Sequence, residues 1–351
     1  MNNININGRI IGLDTPPYII AEMSANHNGD FNAAKAIIAE AKKAGADALK
    51  IQTYTPDTIT LNSDLPDFQI HGGLWDGETL YSLYEKAYTP WEWHKPLFEY
   101  ARELDITMFS SPFDNTAVDL LEDLNAPAYK IASFEAIDLP LIRYVASTGK
   151  PMIISTGMAD DEEIQEAIEA ARSGGCKELA ILHCVSGYPA PAEDYNLRTI
   201  LDMRERFGLV TGLSDHTIDN TTAVTSVALG ASIIEKHFTL DRNGGGPDDS
   251  FSLEPEDLVA LCRDSKTAWQ ALGSVNYGRK SSEQNNVKFR RSLYFVKDLK
   301  AGDIITEDAI RSVRPGFGLA PKFYDEVVGK RVSNDVYKNT AVQLKYIETK
   351  I

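Results

Sequence analysis

The chain has 351 residues, 43% hydrophobic and 25% charged, a globular composition that excludes long disorder. Asp and Glu number 51 against 35 Lys and Arg, and the resulting formal charge of −16 argues against non-specific nucleic-acid binding or an anionic membrane surface. No apolar run reaches the ~18–20 residues of a membrane span, and the opening residues lack a charged-then-apolar leader pattern. Three cysteines without paired spacing suggest neither a disulfide framework nor a zinc knuckle, so a cytoplasmic chain is expected.

Short apolar, β-branched runs recur along the chain: Tyr18–Met23, Ala48–Thr53, Thr107–Pro112, Ala128–Ser133, Pro151–Thr156, Leu179–Ser186, Leu209–Asp215 and Ser232–Leu240. Helical periodicity follows each of them. In Asn32–Ala44, for example, Ile37, Ala41 and Ala44 share a face and Gly45 is placed to end the helix. Eight βα units predict a (β/α)8 TIM barrel, and the absence of GxGxxG after the first run disfavours an open doubly wound sheet. The second unit is too long, and its excess carries GGLWDG (Gly72–Gly77) and YTPWEWH (Tyr88–His94). Such an insertion is expected either to cover the C-terminal mouth, where barrel active sites sit, or to plug it. The barrel is expected over residues 1–272 and a polar, locally basic linker over 273–292. A small β-rich module with the runs LYFV and AVQL is expected over 293–351.

Polar residues at the strand ends carry the chemistry. Lys50 and Gln52 are in phase on the second run, and the fourth run reads YKIASFE, with Lys130, Ser133 and Glu135. Ser155, Ser186 with Tyr188, Ser214 with His216, and His237 end the next four. Two lysines within apolar parallel strands call for an anion, so Lys50, Lys130 and the hydroxyls describe an anion cradle for phosphate and carboxylate. Lys130 and Glu135 are out of phase, which requires the strand to end or bend near Ser133. Four of the six histidines (His27, His183, His216, His237) fall at strand ends, where each alone reads most simply as a hydrogen-bonded core residue. His216 and His237 differ because consecutive strands set them side by side. Two imidazoles with oxygen donors suit Mn²⁺, Zn²⁺ or Fe²⁺ in an open, catalytic site. Glu22 could anchor substrate hydroxyls, orient His27, or be a satisfied buried carboxylate.

The segments IAEMSANHNGD, LKIQTYTPDTI, FSSPFD, YKIASFE, ISTGM, HCVSGYPAP, GLSDHT and IEKHFTLDR…GGPD resemble, in order, the sialic acid synthase family. The tail RRSLYFVKDLKAGDIITEDAIRSVRPGFGL is similar to the antifreeze-like (SAF) domain of those enzymes. Within the family, SANHNGD, the tryptophan-bearing insertion and CVSGYP are most similar to the pseudaminic acid branch; the N-acetylneuraminate and legionaminate branches are the alternatives. The resemblance implies a transferase that condenses phosphoenolpyruvate with 2,4-diacetamido-2,4,6-trideoxy-L-altropyranose. It implies that His216 and His237 hold a divalent metal, Mn²⁺ with Mg²⁺ or Co²⁺ as substitutes. Lys50, Lys130, Ser133, Ser155, Ser186 and Ser214 match phosphoenolpyruvate-binding positions, although Ser186 stands where sialic acid synthases often have Asn. Glu135 matches the acidic residue that activates water or shuttles a proton. Gln52, Tyr188 and Asp248 match positions near the sugar, and Glu22 is grouped with them. Arg314 matches a tail arginine that reaches the partner's barrel, which implies a domain-swapped homodimer. Two readings from other classes are a Schiff-base aldolase on Lys130, which borohydride trapping would reveal, and a non-catalytic carbohydrate- or ice-binding protein.

Overall fold

The computed structural model describes residues 3–348; residues 1–2 of the expected barrel and 349–351 of the expected tail lie outside the described residues. The chain divides into two compact units, Met1–Gly273 and Ser274–Ile351.

The first unit is a closed barrel of eight parallel strands: β3 (Tyr18–Glu22), β4 (Ala48–Thr53), β5 (Thr107–Pro112), β6 (Tyr129–Ile131), β7 (Met152–Ser155), β8 (Leu179–Cys184), β9 (Val210–Asp215) and β10 (Ile233–His237). β10 pairs with β3 to close it. All eight strands overlap the runs read from sequence, and Ala128–Ser133 keeps only half its length. β6 ends at Ile131, and Ser133–Glu135 winds into a 3-10 turn, which resolves the phase conflict between Lys130 and Glu135. The helix after β3 spans Phe31–Ala44, is capped by Asp30 and ends at Gly45 with φ 94°.

Alternation along each strand sorts two cores. Tyr18 and Ile20, Ala48, Phe109, Ala128, Ile153, Ala180 and Leu182, Val210 and Ile233 cluster together inside the barrel. Out-of-phase neighbours such as Ile19, Ala21, Leu49, Ile51, Ile154 and Ile234 pack with the helices. An element absent from the sequence reading completes the inner core. β1 (Ile4–Ile6) and β2 (Arg9–Ile11) form an antiparallel hairpin, and its Ile4, Ile6 and Ile11 join the interior cluster. Its turn is Asn7-Gly8, with φ 50° and 84°, the pair that a two-residue hairpin turn favours because both positions need positive φ. The Asn-Gly pair flanked by alternating isoleucines was the available signal.

The insertion also differs in part from expectation. Its outer portion holds a helix at Pro56–Ile59, a 3-10 turn at Pro66–Phe68 and a helix at Leu80–Ala87. The YTPWEWH segment, by contrast, opens the regular barrel helix Trp91–Glu103, which buries His94, Leu97, Phe98 and Ala101. It belongs to the barrel wall and not to a cover over the mouth.

In the second unit β11 (Ser292–Phe295) pairs antiparallel with β12 (Ile310–Val313). Leu293, Phe295, Ile305, Ile310, Val327, Val332, Val336, Val342 and Ile347 form its small core. AVQL makes only a bridge from Ala341 to Tyr294 and no strand of its own. The expected linker is exposed almost throughout, yet Ser281–Phe289 is wound into 3-10 turns. Among the described residues no helix is long and apolar enough to cross a membrane.

Candidate active site

The same alternation that buries Ile20, Ala48, Ala128, Ile153 and Ile233 brings Glu22, Lys50, Lys130, Ser155 and Glu235 to the next inward layer, towards the C-terminal ends of the strands. These groups do not stand alone. Lys50 Nζ lies 2.8 Å from Glu22 Oε2 and 3.6 Å from Glu235 Oε1, and it donates to Ser111 Oγ at 3.2 Å. Lys130 Nζ donates to Glu235 Oε1 at 3.0 Å. The lysines read from sequence as an anion cradle therefore already face two carboxylates. Balanced charge is what lets four ionisable side chains stay buried together.

Burial works against charge on Lys50, but Glu22 and Glu235 outweigh it and hold the ammonium above its ordinary pKa. On Lys130 burial prevails and lowers the value. Burial opposes ionisation of Glu235 too, yet Lys130 and Lys50 bring its carboxyl below the usual range; Glu22 is raised by burial and by the charge of Glu235. Glu235 was missed in the sequence, although it sits two residues before His237 and so shares its face.

Hydroxyls gather on the neighbouring strand ends. Gly157 N donates to Ser133 Oγ at 3.2 Å. A Cβ on Gly157 would fall 2.3 Å from Ser186 Oγ and 2.8 Å from Ser133 Oγ, so only glycine leaves this hollow open. Ser155 Oγ is buried without a hydrogen-bond partner. Ser214 is buried on β9, level with Glu235 and with Cys184 on its two flanking strands. The unpartnered Ser155 hydroxyl and the hydroxyls of Ser133, Ser186 and Ser214, on the same barrel mouth as the buried lysines, fit a phosphate-bearing anion.

The two imidazoles stand with ring centroids 5.4 Å apart. His216 Nδ1 donates to Val185 O at 2.8 Å, and its backbone N–H donates to Tyr195 Oη at 2.7 Å, so Nε2 is the nitrogen left for a ligand. His237 Nδ1 is buried without a hydrogen-bond partner, 3.8 Å from Asp248 Oδ2. Burial and the His216 charge hold His237 well below the ordinary imidazole pKa, so it stays neutral. Burial also disfavours charge on His216, but Cys184, whose Sγ is 4.0 Å from Nδ1, draws the value upward. Among the described residues no group of three or more His, Cys, Asp or Glu side chains could hold a metal ion. An orphaned nitrogen on one ring and an oriented free nitrogen on the other fit a divalent cation whose remaining ligands are oxygens. The other strand-end histidines do not join them. His27 packs edge-on against Trp93, accepts from Gly29 N and is lowered to about 4 by burial. His183 bonds Tyr195 O. Glu22, which could have oriented His27, instead accepts from Gln52 Nε2 at 3.1 Å.

A cavity of about 200 Å³ opens over this layer, lined among the expected residues by Gln52, Ser133, Glu135, Tyr188, His237 and Asp248. Asp248 accepts from Ser24 Oγ at 2.5 Å, and Tyr188 lies over His216 with centroids 4.4 Å apart. Glu135 Oε2 is buried and unpartnered, and burial raises its carboxyl to about 7, the range of a general base. The rest of the lining is largely apolar. Ile59, Leu83, Tyr84 and Ala87 come from the insertion, beside Tyr54 and Phe113. Trp75 from the GGLWDG loop closes against Tyr188 and donates to Pro247 O at 3.1 Å. A larger cavity of about 550 Å³, lined by Leu13, Arg204 and Trp269, holds none of these groups. Arg314 lies in the second unit.

A (β/α)8 barrel that gathers buried lysines, carboxylates, imidazoles and hydroxyls at the C-terminal ends of its strands has the arrangement of a barrel enzyme. The NeuB family matches residues 37–277 and the SAF domain matches residues 290–348. The chain belongs to the NeuB family. It is 46% identical to the pseudaminic acid synthase of Helicobacter pylori over 95% of this chain and 98% of that one. Identity to the pseudaminic acid synthase of Campylobacter jejuni is 47%, over 92% and 94% of the two chains. The crystal structure of the N-acetylneuraminic acid (sialic acid) synthetase of Leptospira borgpetersenii superposes with a TM-score of 0.73 at 30% identity, covering 82% of this chain and 95% of that one.

Proposed function

We propose that the chain condenses phosphoenolpyruvate with 2,4-diacetamido-2,4,6-trideoxy-L-altropyranose, releasing phosphate and forming a nine-carbon sugar acid. One observation carries this reading: the mouth cavity sets the polar groups of Gln52, Ser133, Glu135, His237 and Asp248 beside a largely apolar wall to which the insertion contributes. That wall suits a sugar with a methyl terminus and two acetamido methyls better than one bearing a primary hydroxyl. Identity of 46–47% to pseudaminic acid synthases, against 38% to an N,N'-diacetyllegionaminic acid synthase, supports the same choice.

In this reading Lys50 and Lys130 turn from Glu22 and Glu235 towards the carboxylate and phosphate of phosphoenolpyruvate. Ser133, Ser155, Ser186 and Ser214 complete the cradle. Gln52, Tyr188 and Asp248 orient the open-chain sugar, so that its aldehyde carbon meets C3 of the enol. His216 and His237 would hold a divalent cation, Mn²⁺ with Mg²⁺ or Co²⁺ as substitutes, whose chemistry there is Lewis acidity towards the aldehyde oxygen. Bond formation from C3 turns the aldehyde oxygen into an alkoxide and leaves positive charge at C2; water adds at C2 as Glu135 takes one of its protons and passes it to the alkoxide. The C–O bond to phosphate then breaks as the C2 hydroxyl becomes the carbonyl and its proton goes to the phosphate, with the two ammonium groups against the leaving dianion. The test is mass spectrometry of products formed from phosphoenolpyruvate and each of three amino sugars: the diacetamido-trideoxy-altrose, its legionaminate counterpart and N-acetylmannosamine. The expected result is preferred turnover of the first with release of one phosphate. Preferred turnover of either other sugar overturns the assignment.

The tail unit has a small core, and Arg314 offers planar donors suited to an amide carbonyl. We assign it to the partner's barrel in a domain-swapped homodimer. Mixing Glu135→Gln and Arg314→Ala chains under subunit exchange is then expected to restore one working site in each heterodimer, read as recovered phosphate release. Exchange confirmed by mass without recovered activity places Arg314 in its own barrel or outside the site.

A further inference from the structure

The residue before each imidazole points away from the barrel interior, and these two residues meet. Asp215 precedes His216 on β9, Lys236 precedes His237 on β10, and the two are register partners on adjacent strands. Lys236 Nζ lies 2.8 Å from Asp215 Oδ2, with the side chains 2% and 0% exposed. The ammonium also donates to Thr217 O at 2.7 Å and Asp219 O at 2.8 Å. Asp215 accepts from Thr217 N at 2.9 Å and from Thr217 Oγ1 at 3.1 Å. His216 is therefore bracketed, on the residue before it and the residue after it, by groups tied to the ammonium that precedes His237.

Stability alone is a weak reason for this arrangement, since a well-packed apolar pair often serves as well as a buried ion pair. An apolar pair, however, could not engage the carbonyls of Thr217 and Asp219. Those two bonds fold the loop after β9 back onto β10 and fix the backbone on which the His216 ring is mounted. We infer that Lys236 and Asp215 are positioning residues that set the spacing of the His216 and His237 imidazoles from outside the barrel, and thereby the affinity of the pair for a divalent cation. This rests on the reading of the two histidines as cation ligands. Outer-sphere groups that orient metal-binding histidines typically change metal affinity ~10–100-fold.

The experiment measures Mn²⁺ binding to the full-length protein by calorimetry and by the Mn²⁺ resonance signal, with phosphoenolpyruvate binding measured in parallel. Lys236→Met is expected to weaken Mn²⁺ at least tenfold and phosphoenolpyruvate less than threefold. The double variant Asp215→Leu/Lys236→Met removes the charge imbalance, which keeps the test available if the single variant fails to fold. It is expected to show the same loss of Mn²⁺ affinity at near wild-type thermal stability. Unchanged Mn²⁺ affinity in either folded variant, or equal weakening of both ligands, overturns the positioning role. A wild-type protein that binds no Mn²⁺, Mg²⁺ or Co²⁺ overturns both this inference and the cation assignment on which it rests, whatever sugar the enzyme turns over.

Discussion

Glu135→Gln is expected to lower kcat by roughly 10²–10⁴-fold, the usual contribution of a positioned general base, with little change in the affinity for phosphoenolpyruvate. The side chain keeps its shape and loses only the ability to take a proton. In the wild type, burial raises the Glu135 carboxyl to about 7. Below that pH the group is protonated and cannot accept a proton from water, and above it the carboxylate is available. The wild-type rate is therefore expected to rise with pH through a limb centred near 7, and that limb is expected to vanish in the variant. A variant that retains the full rate, or the same limb with an altered rate, assigns the water-activating role to another residue.

Lys130→Met is expected to lower kcat/KM for phosphoenolpyruvate ~10–150-fold. One charge-assisted contact contributes about 1.5–3 kcal/mol, and 1.4 kcal/mol corresponds to about tenfold. The fold is expected to survive because Glu235 retains Lys50 at 3.6 Å and methionine fills much of the lysine volume. Steady-state kinetics with phosphoenolpyruvate varied, alongside sugar binding by calorimetry, separates the two substrates. Loss of sugar binding with phosphoenolpyruvate affinity intact would place Lys130 against the wrong ligand.

Much of the barrel was legible because its signal is local. A strand buried on both faces reads as a short apolar run, and each of the eight runs contains or overlaps a strand of the closed barrel. The in-phase positions at the ends of those runs, Lys50, Gln52, Lys130, Ser155, Ser214 and His237, followed from period-two alternation. The hairpin at Ile4–Ile11 has one local mark, the Asn7-Gly8 turn, but its packing is remote: its isoleucines join a cluster with Ile153, Leu182 and Val210, far along the chain. The WEWH segment was misplaced for a related reason. Its aromatic residues pass for a loop until burial of His94 and Leu97 shows which face they turn inward.

The site divides along the same line. The sequence by itself determined the residue types at the strand ends, the pairing of two imidazoles on consecutive strands and the place of the long insertion, since each follows from spacing along one chain segment. Only the tertiary structure decided that Lys50 and Lys130 face Glu22 and Glu235, that Gly157 leaves a hollow between Ser133 and Ser186, and that Trp75 closes on Tyr188. It alone decided that Lys236 ties His216 to His237 from behind. Those relations join side chains up to 213 positions apart, as Glu22 and Glu235 are around Lys50. Their distances are set by closing the sheet, which no local periodicity encodes.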